Sequence, residues 1–465
     1  MTRLTAAALL APALAALGAC GAGDGGAEGA AGVGDPYFPE AGNGGYDVGH
    51  YGLTLAYDPG RPRLTGTAVI TARATRELTA FDLDLVGLTV GEVSVDGRAA
   101  RWRRAGQELT VRPARPLARG AVFRTTVAYA GVPRTLTDPD GSEEGWLRTP
   151  DGAVALGEPT GSATWFPGSH HPSDKAAYDI EVTVPKGHQA VSNGELTSER
   201  TAGDRTVLTW RAREPVAPYV VTVAVGRFTV TRSTVTGLRD RPGLPSYVAV
   251  VPSEVPAARP VLARIPAVLR WEEGLFGPYP FSSTGAVVAR RGLVGYALET
   301  QNRPVFPGAP DTTTLVHELA HQWYGDSVTP RTWRDMWLNE GFATYAEWLW
   351  AEEHGGDSAQ ETFDALYRTD ADAGLWAFPP ARPSDAAHIS DSPVYERGAM
   401  VLHRVRRAVG DTRFRAILRG WATAHRHGNA DTADFTRYVE RAAPGTDFGA
   451  VWADWLYGEG KPKGG

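Results

Sequence analysis

His317 and His321 stand four residues apart in V-H-E-L-A-H. On a helix of about 3.6 residues per turn that spacing stacks both imidazoles on one face, where they can share one metal ion. Glu318 adjoins the first histidine, near enough to reach a water on that metal without being a ligand itself. A second carboxylate, Glu340, follows after eighteen intervening residues, in W-L-N-E-G-F-A-T-Y-A-E. Two imidazoles and one carboxylate leave a fourth tetrahedral position open for water, as a catalytic zinc site requires.

Such a site needs two helices and elements to brace them. The spacing predicts a first helix capped by Asp311 and ending near Gly325, and a second through W-L-N-E-G-F. Upstream, Val261, Ile265, Leu269 and Phe276 fall at helical spacing within Ala257–Phe276, where two prolines break the segment into pieces. A short strand over Gly285–Ala289 precedes the loop G-L-V-G-Y-A-L-E-T-Q. Ser358 and Glu361 form a capping box, helical segments follow near 394–409, 411–425, 432–443 and 447–458, and Lys461–Gly465 reads as frayed.

Before these helices the period changes to two. Tyr51, Leu53, Leu55 and Tyr57 alternate, as do Phe81, Leu83 and Leu85, then Tyr178, Ile180, Val182 and Val184, and later Tyr219–Val225. Asp58-Pro59-Gly60, Asp96-Gly97 and Asn193-Gly194 supply turns between them. The pattern predicts an all-β domain over 36–235, a saddle or sandwich of twisted sheets, followed by a mainly α domain over 236–465.

A chain of 465 residues with 42% hydrophobic content is long enough for two or three domains. The net charge of −6 is spread along the chain, and without a basic stripe or nucleic-acid motif no nucleic-acid partner is expected. Residues 1–20 combine Arg3 with an apolar run too short for a permanent membrane span, and read as a signal peptide. Its end, Leu17-Gly18-Ala19-Cys20, resembles a bacterial lipoprotein box; the alternative is ordinary secretion with cleavage after an alanine. Cys20 is the only cysteine, so no intramolecular disulfide is expected, and 21–35 reads as a flexible tether.

These residues resemble the aminopeptidase N family, the gluzincins that remove single residues from peptide N-termini. His317, Glu318, His321 and Glu340 match the family's zinc and base pattern with its gap. Tyr395-Glu396-Arg397-Gly398-Ala399 is similar to its Tyr-x-Lys-Gly-Ala, with Arg replacing Lys at 397. Tyr296-Ala297-Leu298-Glu299-Thr300 stands in the place of Gly-x-Met-Glu-Asn. Glu158-Pro159-Thr160 through Phe166-Pro167 is spaced like Glu-Pro-Thr-x-Ala-Arg-x-x-Phe-Pro.

The resemblance implies a thermolysin-like zinc peptidase domain behind the β domain, lacking the long C-terminal helical domain of larger relatives and therefore with a more open site. It implies one zinc ion per chain on His317, His321 and Glu340, with Glu318 as general base and Tyr395 as the donor to the oxyanion. Glu299, helped by Glu158, would receive the substrate's free α-amine, and an extended segment at Ala297 and Leu298 would offer backbone groups to the peptide. Asn339, Asp326 and Glu347 are candidates to orient the ligands. The expected protein is a monomeric zinc aminopeptidase acting on peptides with a free N-terminus, on the outer face of a bacterial membrane, which it contacts only through lipidated Cys20. The alternatives are secretion without lipid, an endopeptidase on the same site, or a non-catalytic surface protein with structural zinc.

Overall fold

The computed structural model describes residues 27–464. The signal segment, Cys20 and the first part of the tether lie outside the described residues.

The first domain is built on an eight-stranded sheet whose central strands, Tyr46–Asp58, Arg63–Ala74 and Ala176–Pro185, alternate buried and open positions along their length. Tyr51, Leu53, Leu55 and Tyr57 are each at most 2% exposed. That inward face contributes roughly 1.5–3 kcal/mol per buried side chain. Ala176–Pro185 runs parallel to Tyr46–Asp58 and sets Tyr178 beside Tyr51, whose rings stack at 4.9 Å. A five-stranded sheet packs with it and includes Glu143–Thr149 and Gly152–Leu156; the latter strand delivers Glu158. Asp96 and Gly97 both take positive φ, 49° and 72°, which is the two-residue hairpin turn expected there.

The second domain opens with a four-stranded sheet, Thr229–Val235, Leu244–Val250, Thr284–Val288 and Val305–Phe306. Thr229–Val235, assigned from sequence to the first domain, pairs antiparallel with Leu244–Val250 and belongs to this sheet. Helices α1 (Val255–Leu262) and α2 (Ile265–Phe276) lie between the sheet's second and third strands, and α3 (Thr312–Ala320), α4 (Trp337–Glu353), α5 (Ala359–Tyr367), α6 (Gly398–Val409), α7 (Asp411–Ala424) and α8 (Thr432–Ala442) follow it. The result is an N-terminal β-rich domain followed by a mainly helical domain.

Four expectations need correction. Tyr219 lies not in a strand but in a 3-10 turn started by Pro218, and the strand begins at Val223. The supposed tether is ordered where described: residues 27–28 and 30–31 pair with neighbouring strands, and Asp35 is 2% exposed. Asp35 accepts from Trp333 N at 2.9 Å and faces His171 Nε2 at 3.1 Å, so it ties the domains together. The C-terminal end is held as well, because Lys461 donates to Thr369 O and Pro462 O accepts from Tyr367. Helix α3 stops at Ala320, short of Gly325. Among the described residues no helix is long and apolar enough to cross a membrane.

Candidate active site

The Asp311 side chain caps α3 by accepting from Thr314 N at 2.8 Å; the helix carries His317 in its last turn, and His321, still in helical conformation, caps its end one turn further on. Both Nε2 atoms turn to Glu340 Oε2 of α4, at 3.1 and 3.4 Å. One ligand atom from each of the three residues lies within 4.8 Å of the others. The opposite nitrogens meet acceptors: His317 Nδ1 donates to Glu347 Oε1 at 2.6 Å, and His321 Nδ1 to Tyr324 O at 3.0 Å. With Nδ1 of each ring committed to these acceptors, Nε2 is the atom turned to the common point, where a zinc ion would take the place of the Nε2 proton, so the donor set fits zinc.

The turn after α3 is shaped for this purpose. Gly325 has φ of 130°, and a Cβ there would lie 3.2 Å from His321 Nδ1. Gln322 donates to Glu299 O at 3.3 Å and to Asp326 Oδ2 at 2.7 Å, and accepts from Asn302 N at 2.8 Å. Of the three candidate orienting groups, Glu347 touches a ligand side chain. Asp326 instead fixes Gln322, and Asn339 donates to the Tyr219 hydroxyl at 3.0 Å.

Burial penalises every charge here, and the outcome depends on the partner. Burial would lower both histidines, yet hydrogen bonds to Glu340 and Glu347 hold His317 well above its usual range, while the charge of Glu340 lifts His321 to about 9. Glu340 is pulled down to about 2, against its burial, by the two histidines. Glu318, 6% exposed, is pushed up to about 7 by burial. Glu158 and Glu299 are both raised, by burial first; the neighbouring carboxylates push Glu158 further.

A cleft of about 890 Å³ contains Glu158, Glu299, Glu318, Tyr395 and the three ligand residues, and exposed residues of the 138–143 turn form part of its rim. Glu158, Glu299 and Glu318 each bury one carboxylate oxygen without a protein partner. Leu298 corrects the expectation of a free backbone edge: its N–H donates to Val305 O at 2.9 Å and its C=O accepts from Val305 N at 2.8 Å. Ala297 and Leu298 both border the cleft. Tyr296 spans the cleft to the β domain, donating to Glu143 O at 2.8 Å.

Tyr395 lies on a π-helical turn, Pro393–Arg397, with its ring parallel to that of His317 at 6.1 Å. Gly398, just after it, touches Gly341 of α4, where an added Cβ would meet the Gly398 backbone at 2.9 Å. This contact draws together the helix bearing Glu340 and the turn bearing Tyr395. The pair His170-His171 forms no second metal group among the described residues. Its rings are taken by Phe166 O, Ser173 and Asp35.

Sequence reasoning missed the Tyr324 carbonyl, Gln322, and the Gly341–Gly398 contact. The glycines were visible inside both motifs, whereas a backbone acceptor has no side-chain signature.

Residues 300–455 match the Peptidase family M1 domain. Among curated relatives, probable aminopeptidase 2 of Sulfurisphaera tokodaii is 26% identical over 331 residues, 64% of this chain and 40% of that protein. Glutamyl aminopeptidase of Bos taurus is 29% identical over 315 residues, 62% of this chain and 32% of that protein. The chain thus spans well under half the length of these relatives. A solved M1 zinc metallopeptidase from Deinococcus radiodurans superposes with a TM-score of 0.82 at 32% identity, covering 88% of this chain and 93% of that one. A mutant of the same protein bound to the substrate Tyr-Ser-Ala superposes equally well, with a TM-score of 0.82. Agreement in both sequence and fold along nearly the whole of a two-domain relative shows that the chain belongs to peptidase family M1, the aminopeptidase N family that its motifs resemble.

Proposed function

We propose that this protein is a zinc aminopeptidase that hydrolyses the first peptide bond of peptides with a free N-terminus. The observation that carries the reading is the meeting, in one cleft, of the His317–His321–Glu340 group with Glu318 and the unpartnered, buried carboxylate oxygen of Glu299. His317, His321 and Glu340 would hold one zinc ion per chain, which would polarise the carbonyl as a Lewis acid and acidify water. Glu318 takes the proton of the attacking water and passes it to the leaving nitrogen. Tyr395 donates to the oxygen on which charge develops. Glu299 and Glu158 hold the protonated α-amine, and the backbone of Ala297 aligns the first residue beside it.

The amine requirement follows from electrostatics. An acetylated N-terminus would leave two buried carboxylates without a cation, a penalty that a free amine removes. The Deinococcus neighbour bound to Tyr-Ser-Ala supports a peptide substrate. Export, with Cys20 lipidated on the outer face of a bacterial membrane, and a monomeric state complete the proposal.

The test is a panel of aminoacyl reporter substrates, free and acetylated, with and without chelator. Turnover of free reporters, lost with chelator and absent for acetylated ones, is the expected result. Cleavage of N-blocked peptides at internal bonds would replace this reading by an endopeptidase, and zinc binding without any turnover by a binding protein.

A further inference from the structure

Arg397 is fully buried, at 0% exposure, two residues beyond Tyr395 and inside the same π-helical turn. Its guanidinium donates to four backbone carbonyls: Nε to Trp455 O at 3.0 Å, Nη1 to Phe378 O at 3.2 Å, and Nη2 to Asp454 O at 3.0 Å and to Gly458 O. The plane also lies over Trp376, with Cζ 5.8 Å from the ring centroid. Among the described residues no carboxylate forms an ion pair with it, so the four carbonyl dipoles and the Trp376 ring, with the charge of Glu459 acting from beyond contact, compensate a buried charge.

An apolar side chain of similar volume would fill this space at lower desolvation cost. What the guanidinium adds is direction. Its rigid fork locks one face of the turn to two segments remote in sequence, near 378 and 454–458. The opposite face carries Tyr395, which is only partly buried and held by a parallel ring contact to His317. Gly398 N–H closes the turn by donating back to Pro393 O, the wide ring of a π-helix. Rotation of this turn would move the tyrosine hydroxyl, whereas the metal ligands stand on other elements, His317 on α3, His321 at its end and Glu340 on α4.

We infer that Arg397 is a positioning residue for Tyr395, clamping the π-helical turn to the C-terminal segment so that the hydroxyl is aimed at the reacting carbonyl. The inference rests on the proposed oxyanion role of Tyr395. Four variants test it: Tyr395→Phe, Arg397→Met, Arg397→Lys and the double variant Tyr395→Phe/Arg397→Met, each assayed for kcat and KM on a free aminoacyl reporter.

Tyr395→Phe is expected to lower kcat by ~10²–10³. Arg397→Met should lower kcat by about tenfold or more while KM stays within about twofold, and Arg397→Lys should recover most of the loss. In the Tyr395→Phe background the Arg397→Met change should cost less than about twofold further, because the group it positions is already gone. Full kcat in Tyr395→Phe would overturn the role of the tyrosine itself. A normal Tyr395→Phe effect with a multiplicative double variant, or a loss confined to KM, would overturn only the positioning role. Should Arg397→Met fail to fold, Arg397→Gln, which keeps donors for two carbonyls, takes its place in the same cycle with the same criteria.

Discussion

Gly341 and Gly398 lie backbone against backbone where α4 crosses the start of α6, with a Cβ on Gly398 placed 3.1 Å from the Cα of Gly341. One follows Glu340 directly and the other follows the turn of Tyr395, so the spacing between a metal ligand and the tyrosine depends on having no side chain at either position. Gly398→Ala would force the helices apart by a few tenths of an ångström. We expect a stability loss of about 1–3 kcal/mol, typical of overpacking, with a fall in kcat. Denaturant unfolding and steady-state kinetics measure both, and wild-type values in each would contradict this account of the crossing.

Glu347 reaches His317 Nδ1 at 2.6 Å and is not among the residues that line the cleft. Glu347→Ala should weaken zinc affinity by about 10–100-fold, as loss of such partners does elsewhere. Competition with a chromophoric chelator reads this directly, and excess zinc should recover most of the turnover. Unchanged affinity would mean that helix packing alone orients the ring.

The metal triad was legible because helix geometry converts the four-residue spacing into a shared face, and the capping box at Ser358 and the proline break in 257–276 were legible for similarly local reasons. What could not be read were partners determined by tertiary packing. Nothing in the sequence separates Glu347, which touches His317, from Asp326, which touches Gln322. Leu298 looked like a peptide-binding edge because its pairing with Val305 joins segments whose register only the fold sets. Asp35 sat in a glycine-rich run that composition reads as a tether, yet one carboxylate with two buried donors was enough to anchor it.

Glu318 borders the metal group without entering it, and that separation gives a clean test. Glu318→Gln keeps the size and burial of the side chain but removes the proton acceptor. Zinc content should remain at the wild-type level while kcat falls by ~10²–10⁴. Metal analysis of the purified variant beside its kinetics decides the matter, since loss of zinc would make Glu318 part of the binding site and retained turnover would remove it from the reaction.

The turn contributed by the β domain sets Asp140 and Glu143 around the cleft, beside Asp138, which burial and Glu144 push up to about 9 so that it adds little charge at neutral pH; among the described residues no lysine or arginine lines the cleft. Its negative field should oppose an acidic first residue. The expected kcat/KM for a glutamyl reporter is at least about tenfold below that for a leucyl one, with the gap narrowing as salt screens the field. Equal rates at low ionic strength would show that the turn's charges do not reach the substrate.

Two buried histidines outside the metal group should lower stability in acid. His170 is 3% exposed with Nε2 facing Phe166 O, and His403 is 2% exposed between the Tyr345 hydroxyl and Gln360 Oε1. Burial pushes each down to about 4, helped at His403 by Arg406 and Arg407. In the unfolded chain such a ring takes up a proton near pH 6.5, so between about pH 6.5 and 4 the unfolded state binds more protons than the folded one. Stability therefore falls as pH drops through this window, by up to about 3 kcal/mol per histidine at its lower end, and neither group contributes above it. His403→Gln should flatten the slope of unfolding free energy against pH between 6.5 and 4 relative to the wild type, whatever it does to stability at pH 7. Parallel slopes for the two proteins would mean that His403 titrates normally in the folded state.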